Sequence, residues 1–309
     1  MLSTTLASLD LCNPVLSASG TFGSGWEGRE FSDLSRVGGL VSKTVTVKPR
    51  HGNPPPRIHE TPAGRLNSIG LETKGVDYFL AESLPKMKQL AAGRARVIVN
   101  IGGESIDEFV QLAERFCKAG VDALEVNLSC PNVQEGRLLF STEPSMCERS
   151  IAAVKRVATV PVFAKLSPNV TDIAAIARAA EHGGADGITA INTLIGMAID
   201  WRKQKPILAR GIGGLSGPAI RPVAVRMVYE IVRSVRIPVI GVGGIASAED
   251  VLEFVCAGAS AVQVGTAQFT DPGLMVRIVD DLGRLLAQAK TTIAALRGSA
   301  QPKPVPAGA

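Results

Sequence analysis

Ile237-Pro-Val-Ile-Gly-Val-Gly-Gly-Ile-Ala-Ser247, followed one step later by Ala261-Val-Gln-Val-Gly-Thr266, decides between the two folds that this chain's pattern allows. Each stretch is a short, nearly unbroken apolar run that closes on glycine, as expected of a parallel strand buried on both faces. A doubly wound open sheet would more naturally carry its phosphate loop after the first strand, whereas a barrel of eight β/α steps carries it after strands seven and eight. Working outward, comparable runs occupy residues 13–19, 39–45, 96–101, 123–128, 160–166 and 187–191. Helices are expected over 76–92, 106–119, 144–158, 172–182, about 218–235, 248–257 and about 272–289. In the second of these, Ile106, Phe109, Val110, Leu112, Ala113 and Phe116 recur with the helical period. The sum is a single-domain α/β fold, a (β/α)8 TIM barrel over residues 1–289, with its site at the C-terminal ends of the strands. Residues 46–75, rich in Pro, Gly and basic side chains, form an irregular insertion suited to a lid, and residues 290–309 read as a flexible tail. The run Gly211-Ile-Gly-Gly-Leu-Ser-Gly217 reads as a glycine-rich connection.

With 309 residues, 46% hydrophobic and 20% charged, the chain can bury a substantial core. No apolar run approaches the roughly 20 residues that span a bilayer, and no basic-then-apolar leader opens the chain, so no membrane role and a cytoplasmic location are expected. Cys12, Cys117, Cys130, Cys147 and Cys256 are odd in number and contain no Cys-x-x-Cys pair, which argues against a disulfide framework, a metal site or a self-contained iron-sulfur cluster. The net charge of +5 is scattered and only 4% of residues are aromatic, a poor pattern for nucleic acid but compatible with small anionic ligands.

All C-terminal strand ends of a parallel barrel open on one face, which gathers Ser19, Lys43, Thr44, Asn100, Asn127, Cys130, Lys165, Asn192, Thr193, Gly243, Gly244, Gly265 and Thr266. A lysine at a buried strand end must find a partner or lose its charge. The glycines of Gly243-Gly244 and Gly265-Thr266 let backbone N–H groups approach a phosphate, with a helix N-terminus behind the first pair. Asn67, Asn127, Asn132 and Asn192 are each ordinary turn residues alone, but together they offer planar donors and acceptors that match a flat heterocycle such as a pyrimidine. Lys165 could stabilise negative charge on a second ring, as at the N1/O2 edge of a reduced flavin, and Lys43 could hold a carboxylate. None of the three histidines stands at a strand end, which leaves Cys130 as the most reactive group of the face. These residues alone leave a flavin-free, phosphate-binding lyase or isomerase open.

Asn127-Leu-Ser-Cys-Pro-Asn132, Lys165-Leu-Ser-Pro-Asn-Val-Thr-Asp172, Asn192-Thr-Leu-Ile-Gly196, Gly213-Gly-Leu-Ser-Gly-Pro218 and Gly241-Val-Gly-Gly-Ile245 closely resemble the class 1 dihydroorotate dehydrogenases. Ala18-Ser-Gly-Thr-Phe-Gly23, Lys43-Thr-Val-Thr46 and Gly52-Asn-Pro-Pro-Pro-Arg57 resemble the B type, whose FMN-bearing catalytic subunit works with a partner carrying FAD and a 2Fe-2S cluster and passing electrons to NAD. The resemblance implies oxidation of dihydroorotate to orotate for UMP synthesis, in a homodimer core that joins the partner as a heterotetramer. It implies FMN phosphate on Gly243, Gly244, Gly265 and Thr266, with Ser19, Lys43, Thr44, Asn100, Asn127, Lys165, Ile191 and Gly217 around the rest of the cofactor. Substrate would meet Lys43, Asn67, Ser68, Ile69, Gly70, Leu71, Asn127, Asn132, Asn192 and Thr193, with Cys130 as general base at C5. An A-type enzyme reducing fumarate is the rival within the class. This chain departs from the family at Gln134 to Leu139, where a glycine pair is usual, and at Glu72-Thr-Lys-Gly75, where Gln-Asn-Pro-Gly is common.

Overall fold

The computed structural model describes residues 1–129, 140 and 142–302. The chain opens with an antiparallel hairpin, β1 (Thr4–Leu6) and β2 (Leu9–Leu11), and enters the barrel at β3 (Val15–Ser17) and β4 (Gly39–Val41). A second hairpin, β5 (Ile58–Thr61) and β6 (Gly64–Asn67), lies within the 46–75 insertion. The barrel continues through β7 (Arg96–Ile101), β8 (Ala123–Asn127), β9 (Val162–Lys165) and β10 (Gly187–Ala190). After β11 (Leu194–Met197), β12 (Ile199–Asp200), β13 (Lys205–Pro206) and β14 (Ile212–Ser216), it is completed by β15 (Val239–Val242) and β16 (Ala261–Val264). Eight parallel strands close in the order β3-β4-β7-β8-β9-β10-β15-β16, with β16 pairing back onto β3. These are the eight strands expected from the apolar runs.

Alternation along each strand sorts the core into two shells. Val97, Val99, Leu124, Val126, Val162, Ala164 and Ile188 face outward into the layer shared with the helices. Leu16, Ile98, Ala123, Phe163, Ile240 and Ala261 instead cluster with Leu6, Leu9 and Leu11 of the first hairpin. The hairpin therefore plugs the N-terminal end of the barrel, each buried leucine stabilising it by about 1.5–3 kcal/mol. A plug at that end leaves the opposite mouth as the open one.

Helices form where the apolar period and a capping side chain coincide. Ser105, Asp172 and Ser247 accept from the backbone N–H three residues on, at the starts of α-helices Ile106–Lys118, Ile173–His182 and Ala248–Ala257. The helix expected over 76–92 is interrupted: a π turn at Phe79–Ser83 separates Gly75–Tyr78 from Leu84–Ala91. Pro85 follows that turn and has no N–H to continue the usual ladder.

Two expectations are corrected. The glycine-rich connection 211–217 contains β14, which joins β11, β6 and β5 in a four-stranded antiparallel sheet, so the insertion is anchored to the connection after β10. Residues 290–302 of the expected flexible tail are docked: Ile293 is 1% exposed, Gly298 N–H donates to Val255 O, and Gln301 Nε2 donates to Ala257 O at 2.6 Å. Thr292 caps the short helix Ile293–Leu296 that buries this isoleucine, a local signal hidden beside the Pro-rich end. Among the described residues, no helix is long and apolar enough to cross a membrane.

Candidate active site

At the mouth, four of the expected strand-end residues, Thr44, Asn127, Asn192 and Thr193, are joined by hydrogen bonds. Asn127 is buried at the end of β8; its Nδ2 donates to Thr44 Oγ1 at 3.4 Å, and its Oδ1 accepts from Ser129 N at 3.2 Å and from Asn192 Nδ2 at 3.4 Å. Asn192 Oδ1 accepts from Thr193 N, and the Thr193 carbonyl accepts from Asn169 Nδ2 at 3.1 Å. Asn169, which was not assigned a role from sequence, also accepts from Ile195 N and so fixes the start of β11. Ser129 Oγ donates to Lys165 O at 3.4 Å, which fixes the chain immediately before Cys130. Cys130, Asn132 and the unusual 134–139 segment lie outside the described residues.

Lys43 is half-buried, and among the described residues its side chain makes no hydrogen bond or ion pair. Burial pushes its ammonium below the ordinary lysine value; Glu72 and Glu27 pull it back up and Arg57 pushes it down again. It lines a cavity of about 640 Å³ together with Thr44, Glu27, Arg50, Glu72 and Tyr78. An under-compensated cation on the wall of a cavity is suited to receive a carboxylate.

The Asn67 to Leu71 segment is held from one side by Asn53. Asn53 N donates to Ile69 O at 2.9 Å, and its Nδ2 donates to Ser68 O and Ser68 Oγ. Asn67 Nδ2 donates to Gly214 O at 3.2 Å, across the sheet from β14. Gly70 and Leu71 both have positive φ, 80° and 54°. That is routine for glycine and uncommon for leucine.

The glycine turns form a cradle. Gly243 and Gly244 have φ of 138° and 75°, and a Cβ on Gly244 would lie 2.8 Å from Gly217 O. A Cβ on Gly265 would meet Ala18, next to Ser19, at 3.2 Å. Thr266 Oγ1 donates to Ser216 Oγ at 2.8 Å, tying this turn to β14. The backbone N–H groups of Gly244 and Gly265 donate to no protein acceptor among the described residues, while Gly243 continues the β15–β16 ladder. Unpaired N–H groups with no Cβ above them suit the oxygens of an anion. The helix behind them is already capped: Asp250 Oδ2 accepts from Ala246 N and Ser247 N, and Ser247 Oγ accepts from Asp250 N. That leaves the glycine turns, rather than that helix end, with N–H groups free for an anion. Ile191 has its side chain in the outer core, so it can offer a ligand its backbone alone.

Below this layer lies a feature not assigned from sequence. Glu125 is fully buried on the inner face of β8. Its Oε1 accepts from Asn100 Nδ2 at 2.7 Å and lies 3.7 Å from Lys165 Nζ. Its Oε2 accepts from Thr189 Oγ1 at 2.9 Å and Gln263 Nε2 at 2.5 Å. Lys165, itself 5% exposed, thus has the partner that a buried ammonium requires. The signal available in the sequence was a polar side chain in mid-strand in Ala-Leu-Glu125-Val, Gly-Ile-Thr189-Ala and Ala-Val-Gln263-Val.

A closed parallel barrel whose polar mouth couples an anion cradle to a buried ammonium and a planar amide cluster is an enzyme of the TIM-barrel class, with its ligand at the C-terminal face. Comparison with known proteins narrows the class. Residues 1–286 match the family described as Dihydroorotate dehydrogenase, and the chain belongs to that family. It is 52% identical to the "Dihydroorotate dehydrogenase B (NAD(+)), catalytic subunit" of Anoxybacillus flavithermus, over 92% of this chain and 91% of the relative. Proteins of the same name from Alkaliphilus metalliredigens and Listeria monocytogenes are 50% and 48% identical, over 92% and 91% of this chain and 93% and 92% of theirs.

Proposed function

We propose that this chain is the FMN-bearing catalytic subunit of a B-type, NAD-linked dihydroorotate dehydrogenase that makes orotate for pyrimidine synthesis. The observation that carries the proposal is the continuity of the mouth: going round the closed barrel, the glycine cradle after β16 and β15, Asn192 after β10, Lys165 on β9, Asn127 on β8, Asn100 on β7 and Lys43 after β4 occupy successive strand ends. The residues fit FMN. Gly244 and Gly265 offer unpaired N–H groups, and they and Gly243 present no Cβ, to a phosphate, and Asn100 keeps a buried Oδ1 without a protein partner that a ligand donor can use.

The chemistry that bound FMN would supply is acceptance of the hydride from C6 of dihydroorotate. The chain's own part is to hold the pyrimidine and to remove the C5 proton. Lys43 receives the carboxylate, and Asn127, Asn192 and Thr193 address the ring, joined by Asn132 and by the 67–71 segment. The Cys130 thiolate takes the C5 proton, so that the electron pair left at C5 closes the C5=C6 double bond as the C6 hydride departs. Asn127 and Ser129 hold the strand end from which that cysteine is presented.

A partner subunit carrying a 2Fe-2S cluster and FAD would supply the onward path for the two electrons to NAD. The names of the relatives favour this acceptor over fumarate. A second copy of the chain completes the core, a reading supported by the apolar face on which Ile195, Met197, Ile199, Trp201 and Ile212 are exposed. The test is anaerobic addition of dihydroorotate to the purified protein, followed at the flavin band, with fumarate or the partner plus NAD as acceptor. Bleaching and reoxidation through the partner are expected. A colourless protein, or reoxidation by fumarate alone, would overturn the cofactor or the B-type assignment respectively. Cys130→Ser is expected to slow bleaching at least 100-fold with FMN retained, within the range of general-base contributions.

A further inference from the structure

The interior of this barrel has three levels. Ile98, Ala123, Phe163 and Ile240 form an apolar floor above the hairpin plug, and Asn127, Thr44 and Asn192 form the polar mouth. Between them sits one carboxylate, Glu125, with partners on four other strands: Asn100 on β7, Lys165 on β9, Thr189 on β10 and Gln263 on β16. Packing alone does not call for it, since the level below is filled by apolar side chains, and taking a carboxylate out of water costs several kcal/mol before its partners offset it. What distinguishes this level is its upper neighbour. The ion pair to Glu125 is the one contact of Lys165 Nζ among the described residues, leaving further N–H donors of the ammonium for a ligand.

We infer that Glu125 is a positioning residue that fixes the Lys165 ammonium beneath the flavin ring and, by its negative charge, sets the flavin's reduction potential. This rests on the reading of Lys165 as a flavin contact. A carboxylate behind the ammonium offsets the positive field that the ring feels, which disfavours the electron-rich reduced state; removing that charge favours reduction.

The neighbouring amides make the test clean. Asn100 Oδ1 and Gln263 Oε1 are buried without partners, because both side chains turn their NH2 groups to Glu125. In Glu125→Gln, the new amide NH2 can donate to Gln263 Oε1 after a flip of that side chain, while its oxygen stays on the side of Asn100 and Lys165, so the variant removes charge with little loss of hydrogen bonding. Gln263→Met acts in the opposite sense: it withdraws a donor from Glu125 Oε2 and leaves the carboxylate charge less compensated.

The experiment measures the two-electron midpoint potential of the FMN-loaded protein against a reference dye, with FMN affinity and apo-protein melting recorded beside it. Glu125→Gln is expected to shift the equilibrium toward reduced flavin about tenfold or more, which is about 30 mV for a two-electron couple, and Gln263→Met to shift it two- to threefold the other way. Equal potentials in wild type and Glu125→Gln, or shifts of the same sign in both variants, would overturn the inference, since a merely structural role lowers melting temperature without opposite shifts. Should Glu125→Gln not fold, the sign for Gln263→Met decides. A wild-type protein that binds no flavin sinks the proposed function instead, so the two failures are distinguishable.

Discussion

Adding one methyl group to the cradle tests the site most directly. In Gly244→Ala the new Cβ would stand 2.7 Å from Arg221 Cβ and 2.8 Å from Gly217 O, on a residue whose φ is 75°. The left-handed backbone costs an alanine about 1–2 kcal/mol, and forcing the contact costs about 1–3 kcal/mol more. Neither neighbour gives way easily, because Arg221 is paired with Asp250 and Glu253 and Gly217 O accepts from Ile220 N. The total of about 2–5 kcal/mol divides between the folded protein and the bound state. If the turn relaxes in the apo-protein, the loss appears in FMN affinity, about 30-fold to several thousand-fold at 1.4 kcal/mol per decade. If it does not relax, melting falls by about 2 °C per kcal/mol. Fluorescence titration with FMN and a thermal melt therefore have to be read together. Gly283→Ala is the control: its Cβ meets nothing within 4 Å inside the helix Leu274–Gln288, so it should raise melting slightly. Wild-type affinity and wild-type melting in Gly244→Ala would refute the cradle.

Three further outcomes are expected. Because burial holds the Lys43 ammonium below the ordinary lysine value, orotate affinity should be full at lower pH and fall as pH rises through that lowered value. Glu72→Gln removes a group that raises it, so the fall should begin at lower pH; a shift to higher pH in binding titrations would contradict this assignment. Burial, with Glu148 adding to it, pushes the Cys147 thiol up to about 12, so mass spectrometry after alkylation should find exposed Cys12 modified and Cys147 protected until unfolding. The same group keeps its stabilising contribution below the unfolded value of 9.0 and loses it as pH rises toward about 12. Ending the chain after Lys290 removes Ile293, whose burial stabilises by about 1.5–3 kcal/mol, and should lower melting by several degrees; no change would show that the segment does not support the barrel.

The eight barrel strands were legible because burial on both faces forces continuous apolar runs, and their ends were legible because polar residues interrupt those runs at one mouth. Lys43, Asn127, Lys165 and Gly243 could be gathered from topology alone. The sheet of β5, β6, β11 and β14 was not legible, since Gly213 and Gly214 carry no side-chain pattern and the pairing joins segments far apart in sequence. Glu125 was not assigned a role from sequence. Its partners Asn100, Thr189 and Gln263 become neighbours only when the barrel closes, and a single polar residue in an apolar strand does not say what it meets. The docking of residues 290–302 was masked by composition, since one buried isoleucine among small and polar residues resembles a frayed end.

Pairing of β16 with β3 makes the first and last barrel strands neighbours, and Gly265 stands at that seam against Ala18. During synthesis, β3 leaves the ribosome with one edge unpaired and waits for nearly the whole chain before Ala261–Val264 arrives to cover it. The cradle is therefore among the last parts of the molecule to exist, and no nascent chain shorter than Thr266 can hold a phosphate across it. The floor shares that dependence, since the cluster that receives Leu6 and Leu9 also draws on Ile240 and Ala261 of the last two barrel strands, so both ends of the barrel are completed by the same closure.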